Sequence, residues 1–223
     1  MVCPWCYIGK RRFEAALDGF EHRDEVEVAW RSFQLDPSAP PQSPGNLADR
    51  LAQKYGVSHE QAEAMNARVV TQAAGEGLDY RLDIARPGNT LDAHRLLHLA
   101  DQSGLRAATK ERFLAAYFTE GRAIGDRDTL VDLAAEVGVD RDRATEVLAG
   151  DEFTDSVRQD EREAAELGIS GVPFFAIDRR YGISGAQPPE LLLQALNLAW
   201  EKSQEPTEAA QSSPSSPTPA KSP

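Results

Sequence analysis

The sequence predicts an α/β protein in which a small sheet with helices against it is interrupted by a long, all-helical insertion. Three observations predict this. A helix-starting motif, Cys3-Pro4-Trp5-Cys6, is followed by a segment in which Val26, Val28 and Trp30 alternate with Glu27, Ala29 and Arg31. Apolar residues then recur at helical spacing from about residue 47 to 167, and period two returns only at 172–184, before a last amphipathic helix. The 223-residue chain therefore divides into a sheet-bearing unit of residues 1–45 and 168–202, a helical domain over 46–167 inserted into it, and a disordered tail over 203–223.

The first helix is expected from the cysteine pair to about Asp18. Cys3 stands at its N-cap and Pro4 in its first turn, where the missing N–H is no loss. Phe13, Leu17 and Phe20 would form its buried face, and Lys10, Arg11 and Arg12 would lie mostly toward water. Residues 26–35 read as a strand, and 36–45, rich in Pro and Ser, as the loop leaving it. In the insertion, Ala93, Leu96, Leu97 and Ala100 share a face behind a cap at Asn89 or Thr90. Phe113, Leu114, Tyr117 and Phe118 share another, and Leu130, Val131 and Ala134 continue the series. Gly168 is placed to end the helix that carries Phe153, Val157, Ala164 and Leu167. Residues 172–177 and 181–184, joined by a turn over 178–180, read as an antiparallel hairpin. The last helix begins near Pro189 and carries Leu191, Leu192, Ala195, Leu196 and Ala199. Beyond about Ser203 no apolar residue larger than Ala occurs, which is the composition of a disordered segment.

A net charge of -12 and a pI of about 4.8 argue against a nucleic-acid partner and against an anionic membrane surface. No apolar run of about 18 residues is present, so no transmembrane helix is expected. The N-terminus as given shows no secretory leader pattern. Two cysteines in a chain of this size do not make a disulfide scaffold; a CxxC pair in this setting reads as redox-active or metal-binding, and the compartment reads as cytoplasmic.

The chemistry centres on Cys3 and Cys6. A dithiol enzyme needs one sulfur that attacks as thiolate and another that resolves the mixed disulfide. Two residues between them on a helical turn bring the sulfurs together. A helix N-terminus lowers a thiol pKa from about 8.5 to as little as 3.5–7.5. Cys3 is therefore assigned as the exposed nucleophile, and Cys6, one turn in, as the shielded resolving thiol. The competing readings are two inert cysteines or half a zinc site. Zinc would need His or carboxylate ligands from elsewhere, because no second CxxC exists. Pro173, after Gly171-Val172, stands at the start of a strand, a position that an ordinary trans proline on a sheet edge also occupies.

The runs CPWCYIGKRRFE, WRSFQLDP, NTLDAHRLLHLA, AYFTEG and GISGVPFFAIDRRYGISGAQ together resemble the FrnE-like branch of the DsbA-like thiol–disulfide oxidoreductases, over about Val2 to Trp200. The resemblance implies a thioredoxin-like fold with an inserted helical domain and a cis Val172–Pro173 peptide beside Cys3. It implies a loop there that presents backbone to an extended substrate segment. The substrate-facing set is then Pro4, Trp5, His94, Val172 and Pro173. The family also places a central strand ahead of the cysteine motif. Here the motif follows directly on Met1 and Val2, so the first β-strand is read as missing, through a misassigned start or a fragment.

His94 and His98, four apart, have a spacing that can hold a metal, but no third ligand has matching spacing and no metal is expected. They read as packed or solvated histidines, with His94 facing the cleft under the resemblance. Trp5 reads as an exposed ring for docking an apolar substrate segment or as simple packing on its helix. The expected activity is disulfide exchange with protein or small-molecule thiol substrates, without a bound cofactor. The alternatives are a glutathione-dependent isomerase or transferase resembling the 2-hydroxychromene-2-carboxylate isomerases, with glutathione as co-substrate, and a non-catalytic binding module. The first alternative uses a single Ser or Cys, and Cys6 argues against it.

Overall fold

The computed structural model describes residues 1–43 and 45–205. Helix α1 (Pro4–Asp18) opens the chain with Cys3 as N-cap in extended conformation and a proline in its first turn. The insertion supplies α2 (Leu47–Tyr55), α3 (His59–Gly75), α4 (Leu91–Asp101), α5 (Arg106–Phe118), α6 (Arg127–Glu136), α7 (Arg141–Ala149) and α8 (Thr154–Glu166). The chain then forms β1 (Phe174–Ile177) and β2 (Tyr181–Ser184), and ends its described part with α9 (Pro189–Gln204). Residues 203 and 204, read from sequence as the start of the tail, therefore still belong to α9; the rest of the predicted tail, from 206 on, lies outside the described residues.

The caps follow from local chemistry. Asn46 and Ser58 open α2 and α3 with reciprocal capping boxes. Thr90 is the N-cap of α4 by position, but the side chain that satisfies the first turn is that of Asn89, whose Oδ1 accepts from Leu91 N at 2.8 Å. After α8 the chain reverses at Gly168, whose φ of 71° is left-handed, and Ile169 N closes onto Ala164 O at 2.8 Å. The hairpin pairs Phe174 with Ser184 and Ile177 with Tyr181. Its turn has positive φ at Asp178 and Arg179, with Arg180 N bonded to Ile177 O at 3.0 Å, the primed geometry that matches strand twist.

Residues 26–35 correct the sequence reading. They are extended but carry no ladder, since the sheet of the described residues consists of β1 and β2 alone. Two of their backbone donors are taken instead by carboxylates of α8: Ser32 N bonds Asp160 Oδ2 at 2.8 Å and Gln34 N bonds Glu161 Oε1 at 3.3 Å. Alternating apolar residues specify an extended backbone; a strand needs a neighbour as well.

The core lies in the helical block and reaches into α1. Leu96, Phe113, Leu114, Phe118, Ile124, Leu130 and Leu133 are fully buried, in one cluster with Tyr7 and Ile8. Rings of Tyr7, Tyr80 and Phe118 stack between the two parts, Tyr80 to Phe118 at 4.6 Å between centroids. On its other side α1 meets α9, where Leu192, Leu196 and Ala199 are buried, and the hairpin, where Phe13 stacks on Phe175 at 5.3 Å. Phe20 is buried as expected, whereas Phe13 and Leu17 are half-buried, and Leu191 of α9 is exposed.

Lys10, Arg11 and Arg12 do not lie toward water. Lys10 is buried and pairs with Glu14 and, at 2.7 Å, with Glu111 of α5. Arg11 reaches the same Glu111, and Arg12 pairs with Glu76 at 2.6 Å and donates to Ala186 O at 2.6 Å. These cations bind α1 to both its neighbours, because carboxylates and a carbonyl distant in sequence meet that face.

Candidate active site

The first turn of α1 places Cys3 and Cys6 together, with Cys6 N bonded to Cys3 O at 3.0 Å. Both are free thiols. The Val172–Pro173 peptide is cis, and the Cys3 thiol donates to Val172 O at 3.3 Å. Gly9 allows the approach: a Cβ there would meet Pro173 Cγ at 2.9 Å, so only glycine lets the loop close onto the helix. Gly185 N bonds Pro173 O at 2.9 Å and ties the loop to the end of β2.

Cys3 is not at the surface as expected. Cys3 is 7% exposed and Cys6 is half-buried. Cys3 is covered because the loop carrying Val172 lies directly on it, a contact 169 residues away in sequence. Ionisation still favours Cys3. As a thiolate it accepts from the Cys6 thiol, the largest influence; burial opposes this, and the Cys6 and Trp5 N–H groups at the helix start add to it. Together they lower Cys3 from an ordinary thiol value of 9.0 to about 6. Cys6, donating that hydrogen bond and desolvated, is pushed well above the ordinary value. The bond to Val172 O belongs to the protonated form of Cys3, and the donors from Cys6 and Trp5 belong to the ionised form. A carbonyl gains one bond only in the thiol state, whereas several donors serve the thiolate, so the thiolate prevails at neutral pH.

Around the pair, Trp5 is 39% exposed at the rim and Pro4 is half-buried. Pro4 contributes its carbonyl oxygen, which accepts from Tyr80 Oη at 2.7 Å. Tyr80 is buried and its hydroxyl stays protonated, held up first by desolvation and then by the nearby sulfurs. His94 is 3% exposed and neither ring nitrogen has a hydrogen-bond partner. Burial, first, and the cations around it hold it neutral. Buried in this way, it is not part of an open cleft wall. His98 is engaged elsewhere, with Asp160 at 3.1 Å and Ser32 at 3.2 Å. Among the described residues no group of three or more His, Cys, Asp or Glu could hold a metal. No described helix is long and apolar enough to cross a membrane.

Three features of the site escaped sequence reasoning. Tyr80 comes from the loop between α3 and α4, and nothing local marks it. Gly9 has no turn signal, being inside a helix. Lys110, in α5, sets its ammonium 3.9 Å from the centre of the Trp30 ring, and burial brings it down to about 8. Its helical phase against Phe113 and Phe118 was the one available hint.

Comparison with known proteins gives the family and the fold. A family model described as DSBA-like thioredoxin domain matches residues 1–197. The uncharacterized protein YwbO of Bacillus subtilis (strain 168) is 31% identical over 177 residues, covering 79% of this chain and 82% of YwbO. Among solved structures, the probable DsbA oxidoreductase SCO1869 from Streptomyces coelicolor is 48% identical with a TM-score of 0.88, over 92% of this chain and 88% of that one. The cytosolic disulfide reductase DsbM from Pseudomonas aeruginosa, solved with GSH, shares the fold at 21% identity and a TM-score of 0.63, over 90% of this chain and 95% of that one.

Proposed function

The chain belongs to the family of DSBA-like thioredoxin domains, and from that premise we propose that it exchanges disulfides with protein or small-molecule thiol substrates through Cys3 and Cys6. The observation that carries this reading is a thiol drawn down to about 6 beside a partner thiol pushed up, under a backbone carbonyl of the Val172–Pro173 loop. An ionised Cys3 attacks a substrate disulfide, and its new bond to the substrate sulfur releases the other substrate thiolate. Cys6, once deprotonated, attacks Cys3; the Cys3–Cys6 disulfide forms and the second substrate thiolate leaves. In reverse the same steps oxidise a substrate dithiol. Direction follows from the relative stability of the two redox forms, and a thiolate stabilised in the reduced form makes the disulfide more oxidising.

The exposed Trp5 ring and the Val172–Pro173 loop over Cys3 suit an extended segment pairing its backbone with the loop. No bound cofactor enters this scheme, and glutathione would act as a co-substrate. The cysteine usage favours a cytoplasmic setting. The glutathione-dependent isomerase alternative needs one nucleophile and no resolving thiol, and the hydrogen-bonded Cys6 counts against it.

The test is reduction of a disulfide-containing protein such as insulin by dithiothreitol. The chain should accelerate it, Cys3→Ser should abolish the acceleration, and Cys6→Ser should accumulate a mixed disulfide at Cys3. Full activity of Cys6→Ser on a glutathione-dependent isomerisation, with no insulin turnover by the unaltered chain, would favour the alternative instead.

A further inference from the structure

The loop that covers Cys3 is supported from one side. Upstream, Ile169 N bonds Ala164 O at 2.8 Å, and among the described residues neither Ser170 nor Gly171 makes a hydrogen bond. Downstream, Pro173 O accepts from Gly185 N at 2.9 Å, so the turn after β2 carries the loop. That turn is seated on α1. Gly9 and Arg12, three residues apart, share a face of the helix. Gly9 leaves room for both parts: a Cβ there would lie 2.9 Å from Pro173 Cγ and 3.5 Å from Ala186 Cβ. Arg12 grips the turn itself, its Nη1 donating to Ala186 O at 2.6 Å.

The rest of the Arg12 guanidinium is held by the helical insertion. Nε pairs with Glu76 at 2.6 Å and Nη2 donates to Gln72 at 3.3 Å, both at the C-terminal end of α3. The Arg12 and Glu76 side chains are only 15% and 20% exposed, so this pair is shielded where an open surface pair would contribute little. A planar fork with donors in several directions can serve two segments at once; an ammonium is a point charge. Arg12 therefore links the insertion, α1 and the turn behind the Val172–Pro173 loop.

Resting on the disulfide-exchange reading above, we propose that Arg12 is a positioning residue for polypeptide substrates: anchored by Glu76, it holds Ala186 O and, through Gly185 and Pro173, keeps the Val172 backbone in place over Cys3. Its guanidinium bonds to neither sulfur. What it controls is the backbone edge against which an extended segment pairs. A peptide disulfide depends on that edge, whereas a small disulfide needs only the sulfur.

Two probes separate these demands in single turnover with the reduced protein. One is a peptide whose central cysteine is joined to an aryl thiol, and the other is a symmetric aryl disulfide. In both, the Cys3 thiolate bonds to one sulfur and a coloured aryl thiolate leaves with the electron pair. Arg12→Met should raise the peptide concentration at half-saturation roughly tenfold, with the limiting rate within about twofold. The same variant should react about threefold faster with the aryl disulfide, because a loosened loop uncovers Cys3. Arg12→Lys can meet Glu76 or Ala186 O but not both, and should behave as Arg12→Met does. Glu76→Ala leaves α1 unaltered and should show the same opposed pair of effects, about threefold and about twofold; it decides the question if Arg12→Met does not fold. Proportional slowing of both probes would overturn the inference, since that is what lost stability produces. So would an unchanged half-saturation in these variants, or full recovery in Arg12→Lys. Those results leave the disulfide-exchange reading standing, because the unaltered chain still releases thiolate. No release from either probe by the unaltered chain would overturn both.

Discussion

The two sides of the dithiol are made of different materials. On the hairpin side, contact is by backbone and shape: Val172 O on Cys3, Gly9 under Pro173, Phe13 on Phe175, and a single charged reach from Arg12 to Ala186 O. On the helical side, contact is by rings and charges: Tyr7, Tyr80 and Phe118 stack, Lys10 and Arg11 share Glu111, and Lys110 lies over Trp30. The difference separates two tasks. The loop shapes the approach to the nucleophile, and the insertion supplies the packed and charged support against which α1 is held.

Substitutions can break this division, beginning with the most costly. Phe118→Ala removes a fully buried ring from the stack that joins the insertion to α1, and should cost about 3–5 kcal/mol in chemical denaturation. A loss under about 1 kcal/mol would mean that the two parts are held by the charges alone. Gly9→Ala forces a Cβ to 2.9 Å from Pro173 and should cost about 1–3 kcal/mol. Because it pushes the loop from Cys3, it should also raise the alkylation rate of Cys3. An unchanged rate would show that the loop does not govern access.

Glu111→Gln probes the charged side. Burial raises the Glu111 carboxyl, but hydrogen bonds from Arg11, Lys10 and Tyr7 outweigh it and bring it to about 2. A depressed carboxyl contributes stability that is complete above its ordinary value near 4.5 and is lost as pH falls toward 2. The unaltered chain should therefore exceed the variant by about 1–2 kcal/mol at neutral pH, after allowance for solvent screening, and the gap should close between those pH values. A gap that is constant with pH would assign the effect to packing. Tyr80→Phe, the mildest change, removes the bond to Pro4 O and should cost about 1 kcal/mol, with Cys3 reactivity little altered.

What was legible in the sequence follows the same division. The cysteine turn, the capping of α1 by Cys3 and Pro4, the hairpin and its turn are written in a few neighbouring residues, and the structure has them where the sequence puts them. The helical insertion is equally local, since period and caps suffice to find it. The larger misreadings involve contacts between distant segments. Residues 26–35 were given a ladder, but α8 carboxylates occupy their donors. Lys10 was assigned to solvent, but Glu111 of α5 buries it. Cys3 was assigned to the surface, but a loop near the far end of the chain covers it. Alternation and charge describe what a residue tolerates; the partner that decides its fate is chosen by the fold.

The account rests on Cys3 being ionised at neutral pH by the hydrogen bonds of its own helical turn. The direct measurement is the pH dependence of Cys3 alkylation in the reduced chain, with the modified residue assigned by peptide mapping. The account predicts a rate that rises with a midpoint near 6, and a midpoint displaced upward in Cys6→Ala, where the largest donor is gone. A midpoint near about 8.5, the value of a free cysteine, and unmoved by Cys6→Ala would contradict it.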